Sequence, residues 1–280
     1  MNIGVSGASG NLGKAIVREL QARNQGHKIV AISRTPSNSD SVEGRVGDYY
    51  KPETLAAAYA GLDKVILIPT SDLRPGMRGL QNEAAIAAAV AAGVKHVVLL
   101  SAAGTRDQAE PAIGASYWRG EQALIKSAPQ WTILRMNYYA EALAQEARSS
   151  AASGALTGVA ENKVAFVGRE DVAAAAAGIV TEGHSGAIYD ATGAKSYTGA
   201  ERAALASEIL GTQLGFAVIP VEALQGGMTQ MGLPDFVINA VVSIQQDFAA
   251  GAFDVVTGDV EKLAGRKPQD LRDLLVANLK

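Results

Sequence analysis

The turn that follows the first apolar run restricts this chain more than any other feature. Asn2 to Ser6 reads as a short strand, and Gly7-Ala8-Ser9-Gly10-Asn11-Leu12-Gly13 follows it without a spacer. Helical spacing then begins at once, with Leu12, Ile16 and Leu20 repeating through Asn24. Glycines at a strand-to-helix junction let the backbone turn tightly and approach a ligand closely. The free N–H groups and positive end of the helix can then hold an anion. The spacing is G-x-x-G-x-x-G, not the G-x-G-x-x-G of the common dinucleotide fingerprint. The reading is a nucleotide site, with a turn that serves packing alone as the alternative.

The rest of the chain continues the same rhythm. Strand-like runs at Lys28 to Ser33, Lys64 to Ile68, His96 to Leu100 and Trp131 to Arg135 alternate with helical stretches. Those stretches are Glu53 to Ala60, Asn82 to Ala92 (closed by Gly93) and Tyr117 to Ser127. Nearly continuous apolar strands separated by helices mean a parallel sheet covered on both faces. After Asn137 a helix is expected from Tyr138 to Ser153, a short strand at Lys163 to Val167, a helix from Arg169 to Val180 and a strand at Gly186 to Thr192. The remainder is helix-rich, with one strand at Phe216 to Val221. The expected fold is α/β: a Rossmann-type doubly wound parallel sheet with a smaller α/β C-terminal lobe. Residues 1–137 would form the NAD(P)-binding domain, with 160–193 contributing elements to it. Residues 138–159 and 194–280 would form the substrate-binding lobe.

Composition removes several chemistries. The chain has no cysteine, so thiolate nucleophiles, disulfides and Cys-ligated metals are excluded. His27, His96 and His184 make no paired metal motif, so no metal site is expected; His27 and His96 read as scaffold. The net charge of -3 does not suggest a nucleic-acid surface. The apolar region from Glu83 to Leu100 is broken by Gly93, Lys95 and His96, so no membrane span is expected. The first residues read as a strand, not as a signal segment. A cytoplasmic protein is the default expectation.

The end of the second strand selects the nucleotide. An NAD site places an acid there for the ribose 2′-hydroxyl. This chain offers Ser33-Arg34-Thr35-Pro36. A guanidinium can pair with a 2′-phosphate, so NADPH is expected as the cofactor, with a solvated loop residue as the alternative for Arg34. Lys14 is a second candidate for the phosphate. Asp48 falls where a third strand should end, to accept from an adenine amino group or to cap the loop. Pro69-Thr70-Ser71 and Ser101-Ala102 follow later strands, where small residues suit a ligand crevice as well as a turn.

With these segments in place, the chain resembles the NmrA-like atypical short-chain dehydrogenase/reductases. Within them it is most similar to bacterial NADPH quinone oxidoreductases and triphenylmethane reductases. The residues that carry the resemblance are Gly7 to Gly13, Arg34, Gly47-Asp48, Glu121 to Leu124 and Trp131 to Tyr139. Arg169 to Ala173 and Val260 to Arg266 add to it. The resemblance implies a nicotinamide in a cleft between sheet and lobe. Arg34 would take the 2′-phosphate and Asp48 would lie near adenine. Pro69 to Ser71 with Ser101 and Ala102 would line ribose and nicotinamide. Met136, Asn137 and Tyr138 would cover the nicotinamide and reach substrate. Regulatory members of the family bind NADP without redox chemistry, so a non-catalytic redox sensor is the alternative reading.

The usual acid–base pair of such enzymes is Tyr-x-x-x-Lys on one helix face, where the cation favours the phenolate. Here Tyr117 is followed at that spacing by Glu121, so the pair is broken. Chemistry that depends on it, ketone reduction above all, is disfavoured, although ketone, enone or imine reduction stays as an alternative. Hydride transfer to a quinone or similar conjugated electrophile needs less help. The expected partner is a small aromatic or quinone-like substrate, and a homodimer is a further expectation. Tyr117, Asn137 and Tyr138 are the catalytic candidates. Glu121 is read either as a ligand of the nicotinamide amide or ribose, or as a surface charge. Met228, Met231, Phe236, Phe248 and Phe253 read as packing more readily than as substrate contacts.

Overall fold

The computed structural model describes residues 1–280. Its first half alternates strands and helices as the apolar pattern requires. They are β1 (Asn2–Ser6), α1 (Asn11–Arg23), β2 (Lys28–Ser33), β3 (Val42–Val46), α2 (Leu55–Tyr59), β4 (Lys64–Leu67), α3 (Met77–Ala91), β5 (His96–Ala102), α4 (Ile113–Ser127) and β6 (Gln130–Met136). Then follow α5 (Ala140–Ser150), β7 (Ala155–Gly158), β8 (Lys163–Val164), α6 (Arg169–Glu182) and β9 (Ala187–Ala191). The chain ends with β10 (Tyr197–Thr198), α7 (Gly199–Leu210), β11 (Gly215–Val218), α8 (Val221–Gln230), α9 (Asp235–Ala249), α10 (Asp259–Ala264) and α11 (Leu271–Leu279).

Seven strands form one sheet in the order β3-β2-β1-β4-β5-β6-β9. Every pairing in it is parallel. The order reverses between β1 and β4, which opens a crevice above their carboxyl ends. Both faces are covered, which explains why β4 and β5 are apolar without alternation. On one face Ile3, Val5, Ile66, Val98 and Leu134 pack against α1 and α6. On the other, Ile32, Val65, Leu67, Val97, Leu99 and Ile133 pack against α2, α3 and α4.

Helix α6 is buried from Asp171 to Val180. Its alanines and Gly178 let α10 approach so closely that a β-carbon at Gly178 would stand 1.8 Å from the Leu263 carbonyl oxygen. A third core, with Leu143, Phe166, Phe248, Phe253 and Leu275, lies in the lobe built from α5, α7, α9 and α11. No helix is long and apolar enough to cross a membrane.

Several element boundaries depart from the sequence reading. Helix α3 starts at Met77, five residues before Asn82, because Gly76 turns at φ 73° and a first turn holding Arg78 and Gly79 lacks apolar spacing. The helix expected from Tyr138 starts at Ala140. Tyr138 stays outside the helix, its carbonyl accepting from the Val167 N–H. The strand expected to reach Val221 ends at Val218, because Pro220 cannot donate to a ladder and opens α8 instead. The strand expected over Lys163 to Val167 forms a ladder only at Lys163–Val164, with a single further bridge from Val167 to Tyr139.

Candidate active site

The glycine turn is built by close contacts that only glycine permits. Gly7 has φ 91°, and its ideal β-carbon would lie 3.1 Å from Ile68 Cβ. A β-carbon at Gly13 would stand 2.3 Å from the Gly7 carbonyl oxygen, so the first turn of α1 rests on the end of β1. Gly10 is the N-cap and supplies no side-chain acceptor. The first turn of α1 contains no acid. Its leading N–H groups are therefore free for an anion.

These groups open into a cavity of about 430 Å³. Its walls include Gly7, Ser9, Gly10, Asn11, Leu12 and Gly13 from the turn, Arg34 from the end of β2, and Asp48. Pro69, Thr70 and Ser71, after β4, line it as well. The structure thus brings together segments far apart in the chain. Arg34 is exposed and forms no ion pair within the protein. Asp48 Oδ1 accepts from the Tyr50 N–H at 3.0 Å, while Oδ2 has no partner in the chain. Asp48 therefore caps its loop and still faces the cavity.

A second cavity, about 150 Å³, lies over the ends of β5 and β6. Ala102, Met136, Asn137, Tyr117 and Tyr138 line it, with Ile244 and Phe253 from the lobe. Nine of its eleven lining residues are apolar or aromatic, and its ionisable groups are phenols only. Tyr138 packs edge-on against Phe248 at 5.0 Å and Phe253 at 6.3 Å. Burial pushes its phenol up to about 12, so it keeps its proton near neutrality. Tyr117 carries the Arg78 guanidinium 4.6 Å from its ring centroid. Phe248 is buried in the lobe core, while Phe253 both packs there and walls this cavity. Met228 is buried in a small separate cluster and Met231 is 71% exposed, so neither reaches the site.

Three sequence expectations need correction. Glu121 is neither a surface charge nor a wall of either cavity. It is 0% exposed, with Oε1 accepting from Ser101 Oγ at 2.6 Å and Arg135 Nε at 2.9 Å, and Oε2 from Arg135 Nη2 at 2.6 Å. Ser101 is equally buried, so it lies beneath the floor and only Ala102 reaches the surface. Asn137 borders the apolar cavity, but its amide is already engaged. Oδ1 accepts from the Tyr138 N–H at 2.7 Å and Nδ2 donates to the Phe253 carbonyl at 3.1 Å. These bonds fasten β6 to the lobe and leave one amide N–H without a partner in the protein. One residue the sequence reading missed is Arg78, since a lone basic residue before an alanine-rich helix carries no motif. His96 is scaffold: its Nε2 lies 2.8 Å from Thr132 Oγ1 inside the sheet.

A family described as NAD(P)H-binding matches residues 7–183. The NAD(P)H azoreductase of Xenophilus azovorans is 30% identical over 98% of this chain and 96% of its own length. The NADPH-dependent quinone oxidoreductase of Escherichia coli, solved with NADPH, superposes with a TM-score of 0.91 at 27% identity, covering 99% of this chain and all of the other. The Citrobacter triphenylmethane reductase, solved with NADP(H), gives 0.86 at 27% identity and covers both chains fully. The chain belongs to the NAD(P)H-binding family.

Proposed function

We propose that this protein is an NADPH-dependent oxidoreductase that passes hydride to a quinone or a similarly electrophilic conjugated acceptor. One observation carries the reading. A polar cavity with a free helix N-terminus and an unpaired guanidinium lies along the same sheet edge as an apolar slot walled by aromatic rings. The first suits a phosphorylated dinucleotide, and the second suits a flat ring.

The residues fit the cofactor. The N–H groups opening α1 would hold the pyrophosphate, and Arg34 the 2′-phosphate. The free oxygen of Asp48 would accept from the adenine amino group. Pro69 to Ser71 would border the ribose, with Ala102 and Met136 at the nicotinamide. When bound, the nicotinamide supplies the hydride. The protein's share is then placement and exclusion of water. Apolar walls keep the acceptor ring flat, and Asn137 ties those walls to the sheet. Tyr117, whose hydroxyl makes no hydrogen bond within the protein, is the group able to pass a proton to the reduced acceptor. Tyr138 is a wall and not a base, because burial holds its proton in place.

The relatives named for azo, quinone and triphenylmethane acceptors support this choice, since all three are conjugated electrophiles. The test is loss of NADPH absorbance on adding a panel of quinones, azo dyes, cationic dyes and enones. Turnover of quinones or dyes, with simple ketones inert, is expected. No consumption with any acceptor overturns the enzyme reading and favours a sensor.

A further inference from the structure

Arg78 occupies a position that electrostatics alone would not choose. It is 5% exposed and forms no ion pair. Asp72 and Glu110 share its small gap: Asp72 is paired with Arg74 and bonded by Tyr50, whereas Glu110 accepts only from the neutral Ser116 hydroxyl and keeps its charge. It sits in the first turn of α3, where the helix dipole opposes a cation and no acid is present. The buried guanidinium therefore has no direct ion pair, and Glu110 balances it only across the gap.

Two contacts explain what the residue does there. Its Nε donates to the Thr70 carbonyl at 3.0 Å, and its guanidinium stacks 4.6 Å from the Tyr117 ring centroid. Thr70 lines the cofactor cavity, and Tyr117 lines the apolar slot. Arg78 is thus one side chain away from the acceptor and bonded to the loop that borders the ribose.

We infer that Arg78 is a positioning residue whose charge, free of any direct ion pair and set beside the slot through Tyr117, favours acceptors that become anionic on taking hydride. This rests on the reductase reading above. A neutral quinone that receives a hydride, two electrons and one proton, becomes a hydroquinone monoanion, which then takes its second proton from Tyr117 or from solvent. A cationic triphenylmethane dye that receives a hydride at its central carbon becomes neutral. The first change creates negative charge near Arg78. The second acceptor arrives with a positive charge that Arg78 repels. A unit charge at this remove, partly screened, alters such steps by about tenfold.

The experiment compares wild type with Arg78→Met and Arg78→Lys. Menadione and malachite green serve as neutral and cationic acceptors. Binding of benzoate and benzamidine to the NADPH-loaded protein, followed by calorimetry, gives a readout without turnover. Arg78→Met should lower kcat for menadione about tenfold and lower, not raise, the KM for malachite green. Wild type should bind benzoate at least about tenfold more tightly than benzamidine. Arg78→Met should erase that preference and Arg78→Lys should keep most of it.

Equal losses with both acceptors, or no benzoate preference in wild type, would overturn the inference. A merely structural role predicts the first of those results. If wild type reduces neither acceptor, the reductase reading fails on its own, and the benzoate–benzamidine comparison still decides the charge.

Discussion

Removing the guanidinium at position 34 should convert a selective NADPH site into an indifferent one. Arg34 is exposed at the carboxyl end of β2 and has no partner in the protein. Arg34→Ala therefore breaks no internal contact, and the fold should be unaffected. What is lost is a charge-assisted contact to the 2′-phosphate, worth about 2 kcal/mol. That corresponds to a rise of about thirtyfold in the Kd for NADPH. NADH lacks the phosphate, so its Kd should change less than about twofold. Because the pair is solvent-facing, the wild-type preference should shrink as salt rises. Arg34→Asp should go further and repel the phosphate. Titration of both nucleotides by fluorescence, at low salt and at about 0.15 M, measures all of this. Equal weakening of NADPH and NADH, or an unchanged NADPH Kd, would refute the assignment and move attention to Lys14, which lines the adjoining groove.

Three further outcomes follow from the same geometry. Gly10→Ala adds a methyl group only 3.5 Å from the Gly7 carbonyl oxygen, an ordinary contact, so Tm should hold while NADPH affinity falls; Gly13→Ala drives a carbon to 2.3 Å from that oxygen and should lose both, at about 1–3 kcal/mol of stability by urea unfolding. Burial holds the His96 imidazole down at about 4, against 6.5 when free. The unfolded chain therefore gains a proton first, and stability should decline by about 3 kcal/mol as pH falls from 6.5 towards 4, at about 1.4 kcal/mol per pH unit. His96→Gln should flatten that limb in urea midpoints taken across the range. Glu121→Gln leaves the Arg135 guanidinium, 22% exposed, without the bidentate carboxylate of the fully buried Glu121, and should cost about 2 kcal/mol. A loss below about 1 kcal/mol would show that Asp190, across from Arg135 in the sheet register, already compensates it.

How much could be read in advance depended on how local each signal was. The glycine turn, the β–α alternation and the basic end of β2 are each written within a few residues. Segments 7–13, 34, 48 and 69–71 could be grouped from the sequence, and they line one cavity. The misreadings came where a side chain's partner is remote. Glu121 meets Arg135 from another element, and Asn137 meets the Phe253 carbonyl 116 positions away. No spacing rule reports such pairings. Strands β7 and β10 were missed because they are only four and two residues long, and each is held by a pairing with a distant segment. Arg78 carries no signal in the sequence because its significance lies in burial without a direct ion pair, which only the fold reveals.

The broken Tyr-x-x-x-Lys pattern takes on a different meaning once these partners are in view. Position 121 does not simply exchange a cation for an anion beside Tyr117. Its carboxylate turns inward and is neutralised by Arg135, with Ser101 completing its hydrogen bonds. A positive charge reaches Tyr117 from α3 instead, through Arg78. A lysine on the helix of the tyrosine would point its ammonium at cofactor and phenol together, as ketone reduction requires. A guanidinium stacked on the ring face supplies field without a proton, and one of its nitrogens is committed to a backbone carbonyl. Such a site gains little with acceptors that must be protonated as hydride arrives. It suits acceptors whose conjugation can carry the negative charge until Tyr117 or solvent supplies a proton, and quinones have that property.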